Sequence, residues 1–321
     1  MKHLIKTILI VFIFVYLLPI GINAQVTSLS ISPPLIETII KPGKSILIAY
    51  TITNNGDPVI LRPYISSFET KDNGDIIIKE AASPVRFSLD NADLALDQPF
   101  FLKGGGHQQI LLRMRIPDGA PEGDYYHTLM VESQPPPLIE GISSSRNKMS
   151  LGSNILITVT DTGNLNLKGK IVLFNLIPRF KVNFFGRTIN IFDSSDKIPL
   201  VFTIRNTGRN VFKPEGEINL QGNFGEQAKY ELIPVNILTN SQRLIAASPS
   251  ADVKFNRPVS LVLADFFLGH YQLSANVKLG INTSILSAST DFVALPFRFI
   301  IALFFIILIA FLLFQNQKNK K

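Results

Sequence analysis

The chain contains no cysteine and no tryptophan in its 321 residues, and only four histidines. Without cysteine there is no disulfide framework and no thiolate metal site. Exported eukaryotic domains of sandwich type usually carry a bridge, so an exported chain without one points to a prokaryotic source. Each domain must then fold on its hydrophobic core alone, which about 130 residues can supply. Without tryptophan, a carbohydrate site would fall to exposed phenylalanines. "PFF" from Pro99 and "NFFG" from Asn183 are the candidates, and a core role suits both better.

Catalytic signatures are missing as well. His3, His107, His127 and His270 share no short metal-binding spacing. His127 and His270 each neighbour a tyrosine in a strand-like run and read as packing residues. There is no Gly-x-Ser-x-Gly elbow, no Walker loop and no dinucleotide fingerprint. "KGGGH" at Lys103 has glycines but no following helix to hold a phosphate, so it reads as a hairpin turn. The acid pairs Asp72 with Asp75 and Asp193 with Asp196 are oxygen-rich enough to bring Ca²⁺ to mind, yet neither has the ligand count of an EF-hand. No cofactor, metal, small-molecule substrate or enzymatic activity is expected.

Between its two ends the chain also lacks any sustained helical period. What it has is short runs of period two, rich in Val, Ile, Thr and aromatics. "SILIAYTIT" alternates Ile46, Ile48, Tyr50 and Ile52 against smaller or more polar residues. "HQQILLRMRIP" does so with Ile110, Leu112, Met114 and Ile116, and "DYYHTLMVES" with Tyr125, His127, Leu129 and Val131. Turn chemistry separates the runs: "KPGK" at Lys41, "DNGD" at Asp72, "PDGAPEGD" at Pro117, "DTGN" at Asp161. Regular short strands with such punctuation predict an all-β fold of tandem immunoglobulin-like sandwiches.

One phrase occurs twice. In "YTITNNGDPVILRP" from Tyr50 and "FTIRNTGRNVFKP" from Phe202, the residues Thr51, Ile52, Asn54, Gly56 and Val59 match Thr203, Ile204, Asn206, Gly208 and Val211. An apolar strand ends in Asn-x-Gly, whose residues accept the left-handed conformation and let the chain reverse. Asn54, Gly56, Asn206 and Gly208 are therefore read as structural turn residues at one sandwich corner made twice. "TVTDTGN" from Thr158 is a weaker third echo.

The ends differ from the middle. Lys2 and Lys6 precede an apolar run and a small residue at Ala24, the layout of a signal peptide over 1–24; an uncleaved anchor is the alternative. Residues 295–314 are apolar apart from Arg298 and predict a transmembrane helix, followed by a basic cytoplasmic tail at 315–321. The first sandwich is expected over 25–162, with a proline-rich loop at 134–149, and the second over 163–291. A simple linker at 134–149 is the other division. Net charge is +7. Setting aside Lys2 and Lys6 with the leader, and Arg298, Lys318, Lys320 and Lys321 with the anchor, leaves 25 basic residues against 24 acidic. That balance carries no footprint for nucleic acid.

The order of these parts, with "ISPPLIETIIKPGKSILIAYTITNNGD" and "IPDGAPEGDYYHTLMVES", resembles the bacterial WxL-interacting cell-surface family. That resemblance implies a peptidoglycan-binding Ig-like domain, a second Ig-like domain and a carboxy-terminal membrane anchor. The first of these stretches is also similar to the first domain of fimbrial chaperones. "FTIRNTGRNVFKPEGEI" is like the second domain of related membrane-anchored bacterial proteins. No functional residue carries over, because the family has no short catalytic motif.

The resulting expectation is a non-enzymatic, single-pass protein of the cell membrane, its bulk outside, binding cell-wall polymer or a surface protein partner. The alternative is a chaperone-like assembly factor using β-strand addition. It requires a long apolar edge strand in the first sandwich with basic residues in the interdomain cleft. A cryptic hydrolase would need His, Asp and Ser clustered in one pocket.

Overall fold

A computed structural model of the chain describes residues 28–71, 74–79, 83–134, 148–184, 187–281 and 283–318. The expected signal peptide, most of the proline-rich loop, Asp72 and the last residues of the tail lie outside them. The fold is all-β, two immunoglobulin-like sandwiches followed by a helix.

The first sandwich uses β1 (Leu29–Ser32), β2 (Leu35–Ile40), β3 (Ser45–Asn54), β4 (Val59–Thr70), β5 (Ile76–Ile78), β6 (Arg86–Leu89), β7 (Phe100–Leu102), β8 (His107–Arg115), β9 (Gly123–Gln134) and β10 (Ser150–Val159). One sheet has the order β1-β3-β8-β6; the other is β2-β10-β9-β4-β5, with β7 beside β4. Period-two alternation fixes which side chains point between the sheets. Tyr50 and Ile52 of β3, Leu112 and Met114 of β8 and Leu129 and Val131 of β9 are fully buried there.

The second sandwich uses β11 (Gly169–Leu176), β12 (Phe180–Phe184), β13 (Arg187–Asp193), β14 (Ile198–Asn206), β15 (Glu215–Gly222), β16 (Gln227–Leu232), β17 (Gln242–Leu244), β18 (Ala247–Ser248), β19 (Leu261–Leu263), β20 (Gly269–Lys278) and β21 (Leu286–Leu295). Its sheets are β11-β14-β17, with β19 on β14, and β12-β13-β21-β20-β15-β16-β18. Aromatic rings fill its core: Phe292 meets Phe192 and Phe267 edge-on and stacks on Tyr271 at 5.2 Å between centroids.

The expected membrane span is corrected. Helix α1 (Phe297–Lys318) does form, but among the described residues no helix is long and apolar enough to cross a membrane. Arg298, at the start of the helix, is held by the second sandwich. Its backbone N–H donates to Asp193 Oδ2 at 2.9 Å, and its guanidinium donates to Ser195 Oγ at 3.0 Å and to Asp196 Oδ1 at 2.7 Å. The first turn is thus capped by a side chain of the second sandwich, because an unpaired N–H at a helix start needs an acceptor. The single-pass membrane localisation falls with the span.

Candidate functional site

The amino-terminal segment changes sheets, and that creates the feature of most functional interest. β1 runs antiparallel to β3 but covers only Thr51–Asn54 of it. After Ser32 the chain crosses at Pro33 and Pro34, and β2 pairs parallel with β10 over Asn154–Val159. Ser153 Oγ fastens the crossing by donating to Pro33 O at 2.7 Å. Proline suits the crossing, since it offers no N–H to either ladder. The first half of β3, Ser45–Tyr50, therefore has β8 on one side and no strand among the described residues on the other.

Hydrogen-bond phase identifies the bare groups. Lys44 O accepts from Ile116 N, and Asn54 N donates to Gly106 O, so even-numbered residues of β3 face β8. Ser45, Leu47 and Ala49 point their N–H and C=O outward. On β2, Pro34 O and Ile40 O accept from Asn154 N and Thr160 N. Even-numbered residues therefore face β10 there too, leaving Leu35, Glu37 and Ile39 outward. Leu35, Ile39 and Leu47 are exposed, and Ile36, Ile46 and Ile48 are half-buried against the core.

β2 also borders the second sandwich. Glu37 accepts from Lys213 Nζ at 2.7 Å and from Asn236 Nδ2. Burial alone would raise its carboxyl, but those two partners hold it below the usual carboxylate range. Further along the same sheet face, Phe68, Leu156 and Tyr126 meet Leu238 and Val211. Asp124 lies beside them. It accepts from Thr158 Oγ1 at 2.8 Å within its own sandwich, and from Asn210 Nδ2 at 2.9 Å and Val211 N across the boundary. Tyr126 OH donates to it at 3.0 Å.

A pocket of about 490 Å³ opens next to this junction, lined by Ser67, Ser83, Tyr126, His127, Thr239 and Asn240 among others. It holds His127 between two serines: Ser67 Oγ lies 3.0 Å from Nδ1 and Ser83 Oγ 3.0 Å from Nε2. Asp124 also lines it, but strand alternation sends Asp124 and His127 to opposite faces of β9. Both ring nitrogens meet serines, so no carboxylate orients the imidazole as a hydrolase triad requires.

Asn54 and Asn206 are the last residues of β3 and β14, and Gly56 and Gly208 follow two residues on. Asn54 and Asn206 are buried, at 1% and 0% exposure. Asn54 Nδ2 donates to Asp57 O, Leu102 O and Lys103 O, while its Oδ1 accepts from Gly56 N at 3.0 Å. Asn206 Nδ2 donates to Asn210 O and Ile237 O, and its Oδ1 accepts from Gly208 N at 2.8 Å. Each is an Asx turn that also ties the corner to a neighbouring segment. Neither Gly56 nor Gly208 has positive φ, which corrects the left-handed reading. At Gly208 the requirement is closeness: a Cβ would stand 2.3 Å from Asn166 O and 2.7 Å from Lys168 N, both backbone. Gly208→Ala should therefore destabilise by about 2 kcal/mol through overpacking, read as a lowered thermal midpoint. An unchanged midpoint would show that the 166–168 segment yields.

The acid pair Asp193 and Asp196 serves Arg298, with Arg179 at 3.8 Å from Asp196. Burial works to raise the Asp193 carboxyl, and the N–H of Arg298 and Ser195 more than offset it, leaving it below the usual range. No His/Asp/Glu group able to hold a metal occurs among the described residues. His270 faces Asp291 at 3.3 Å on the surface. Phe100 packs on the core and Phe101 is exposed; the side chains of Phe184 and Phe185 lie outside the described residues.

No family model matches the chain, and no curated protein matches it. Among solved structures it is similar to the E. coli chaperone DraB, at 13% identity over 83% of this chain and 98% of that one, with a TM-score of 0.36. It is similar to the class 5 fimbriae chaperone CfaA, at 12% identity, 83% and 99% coverage and a TM-score of 0.37. It is likewise similar to Salmonella enterica SafA pilin in complex with the SafB chaperone, at 10% identity, 84% and 99% coverage and a TM-score of 0.37. At such scores these likenesses carry no functional argument. The resemblance to the WxL-interacting cell-surface family is corrected: no family model matches the chain. The residues behind it are joints and core strands. Gly43 and Gly119 occupy turns at positive φ, and "DYYHTLMV" is an inner strand, all of which a sandwich needs whatever it binds. Peptidoglycan binding and adhesion fall with that resemblance.

Proposed function

We propose that the chain is a non-enzymatic assembly factor of chaperone type, which holds an extended segment of a client protein by β-strand addition on its first sandwich. One observation carries the reading: the sheet crossing at Ser32–Pro34 leaves the edge of β2 and the first half of β3 unpaired among the described residues, and the β3 half is apolar. An unpaired edge is a template for another strand, and proteins that do not use one blunt it with charge, proline or a bulge. Ser45–Tyr50 carries none of these. A basic residue stands at the boundary between the sandwiches, where Lys213 engages Glu37 of β2.

The test uses the full chain and an immunoglobulin-type sandwich with one edge strand deleted. A stable complex on size exclusion is expected with the deleted sandwich and none with the intact one. Capture of neither, or of both alike, overturns the reading.

A further inference from the structure

We infer that the docking edge is β3 rather than β2, and that the client segment lies antiparallel along Ser45–Tyr50, in the line β1 would occupy had it not crossed. This rests on the strand-addition reading and specifies its site. Ser45, Leu47 and Ala49 offer three outward N–H and C=O pairs on a stretch of about 20 Å at 3.4 Å per residue, room for a strand of about six residues. Two neighbours set the direction. β1 and β8 both run antiparallel to β3, and the antiparallel ladder is the better bonded of the two kinds. A client continuing β1 has its amino end near Tyr50 and its carboxy end near Ser45.

The client's side-chain pattern follows from the same phase. Residues opposite Ile46 and Ile48 enter the seam between the sheets. There Ile36 of the facing sheet is also only partly covered, so these residues are apolar. Residues opposite Ser45, Leu47 and Ala49 face solvent, where all three are exposed. The matching segment alternates apolar and polar residues. β2 is the poorer edge for two reasons. It carries a charged residue, Glu37, in its middle, and that residue is bound to Lys213 and Asn236 of the second sandwich. It also begins directly after two prolines, which cannot extend a ladder.

Proline substitution separates the two edges. At Leu47 the N–H points away from β8, so Leu47→Pro removes a donor of the free edge and leaves the β3–β8 ladder intact; Ile39→Pro does the same on β2. The probe is a fluorescent seven-residue peptide of alternating valine and threonine, followed by anisotropy on the full chain. Leu47→Pro should weaken binding about tenfold, as losing one edge hydrogen bond of about 1.4 kcal/mol would, with Ile39→Pro close to unchanged. The reverse order overturns the β3 assignment while strand addition survives. Equal binding by both variants places the peptide off both edges and overturns both readings, as does absence of binding to the unsubstituted chain. Should Leu47→Pro not fold, a nitroxide on the peptide's amino end reads the same question on the unsubstituted chain. Broadening of the Ala49 amide with Ser45 spared supports the antiparallel placement. Broadening of Ser45 alone, or of Ile39 alone, overturns it.

Discussion

Asp124→Ala should split the unfolding of this protein into two transitions. In the native chain Asp124 accepts from Thr158 Oγ1 and Tyr126 OH of the first sandwich, and from Asn210 Nδ2 and Val211 N of the second. Hydrogen bonds to a charged acceptor are the stronger kind, and donors left unpaired at a partly buried site lose more than the bond itself. The apolar contact beside it is small: Phe68, Leu156 and Leu238, with Tyr126 and Val211. Interfaces of that kind permit domain motion unless polar groups fix them. Removing the carboxylate should cost about 3 kcal/mol of coupling. Calorimetry would then show a single endotherm in the parent chain and two in the variant, and small-angle scattering a larger radius. Asp124→Asn, which keeps one acceptor oxygen, should lie between the two. A single unshifted endotherm in Asp124→Ala would show that the apolar contact alone holds the sandwiches together.

That junction was illegible in the sequence, and the reason is physical. Asp124 stands in "PEGDYY", where an acid beside glycine reads as turn chemistry. Its meaning comes from Asn210 and Val211, 86 and 87 residues away. Local periodicity reports which way a side chain points and says nothing of what it meets. The strands themselves were legible for the same reason. In "SILIAYTIT" and "HQQILLRMRIP" the alternation is the burial pattern, and β3 and β8 follow it residue by residue. β2 shows the limit: "LIETII" looks like any short strand, and its parallel pairing with β10 joins segments with no local signal between them.

The repeated corner falls between these cases. Asn-x-Gly follows the end of β3 and of β14, and both residues are frequent where chains turn. Backbone freedom was the wrong cause. A buried asparagine that satisfies carbonyls of another segment, Leu102 and Lys103 for Asn54 and Ile237 for Asn206, looks the same in sequence as an exposed one. The recurrence itself was the available signal: backbone freedom can come from several residues, whereas one side-chain geometry calls for the same residue each time. Asp193 and Asp196 taught the converse. Two acids in a loop resemble a cation site until the cation proves to be Arg298 of the same chain.

His127 should make the first sandwich acid-sensitive in a window set by its own burial. Its ring is 3% exposed, edge-on to Phe87 at 4.7 Å and between the hydroxyls of Ser67 and Ser83. Burial pushes its pKa down from 6.5 to about 4. The folded chain therefore keeps the ring neutral where the unfolded chain takes up a proton. The contribution is complete above pH 6.5, is lost progressively as pH falls toward 4, and changes no further below that. A shift of about 2.5 units at about 1.36 kcal/mol each amounts to about 3 kcal/mol. Carboxylates titrate in the same range, so the informative quantity is a difference. Urea unfolding of the parent and of His127→Gln, followed by circular dichroism from pH 7.5 to 4, should give curves that converge as pH falls. The parent should lose about 3 kcal/mol more than the variant. Parallel curves would mean that the ring is protonated in the folded chain as readily as in the unfolded one, and that the pocket beside Ser83 admits water to it.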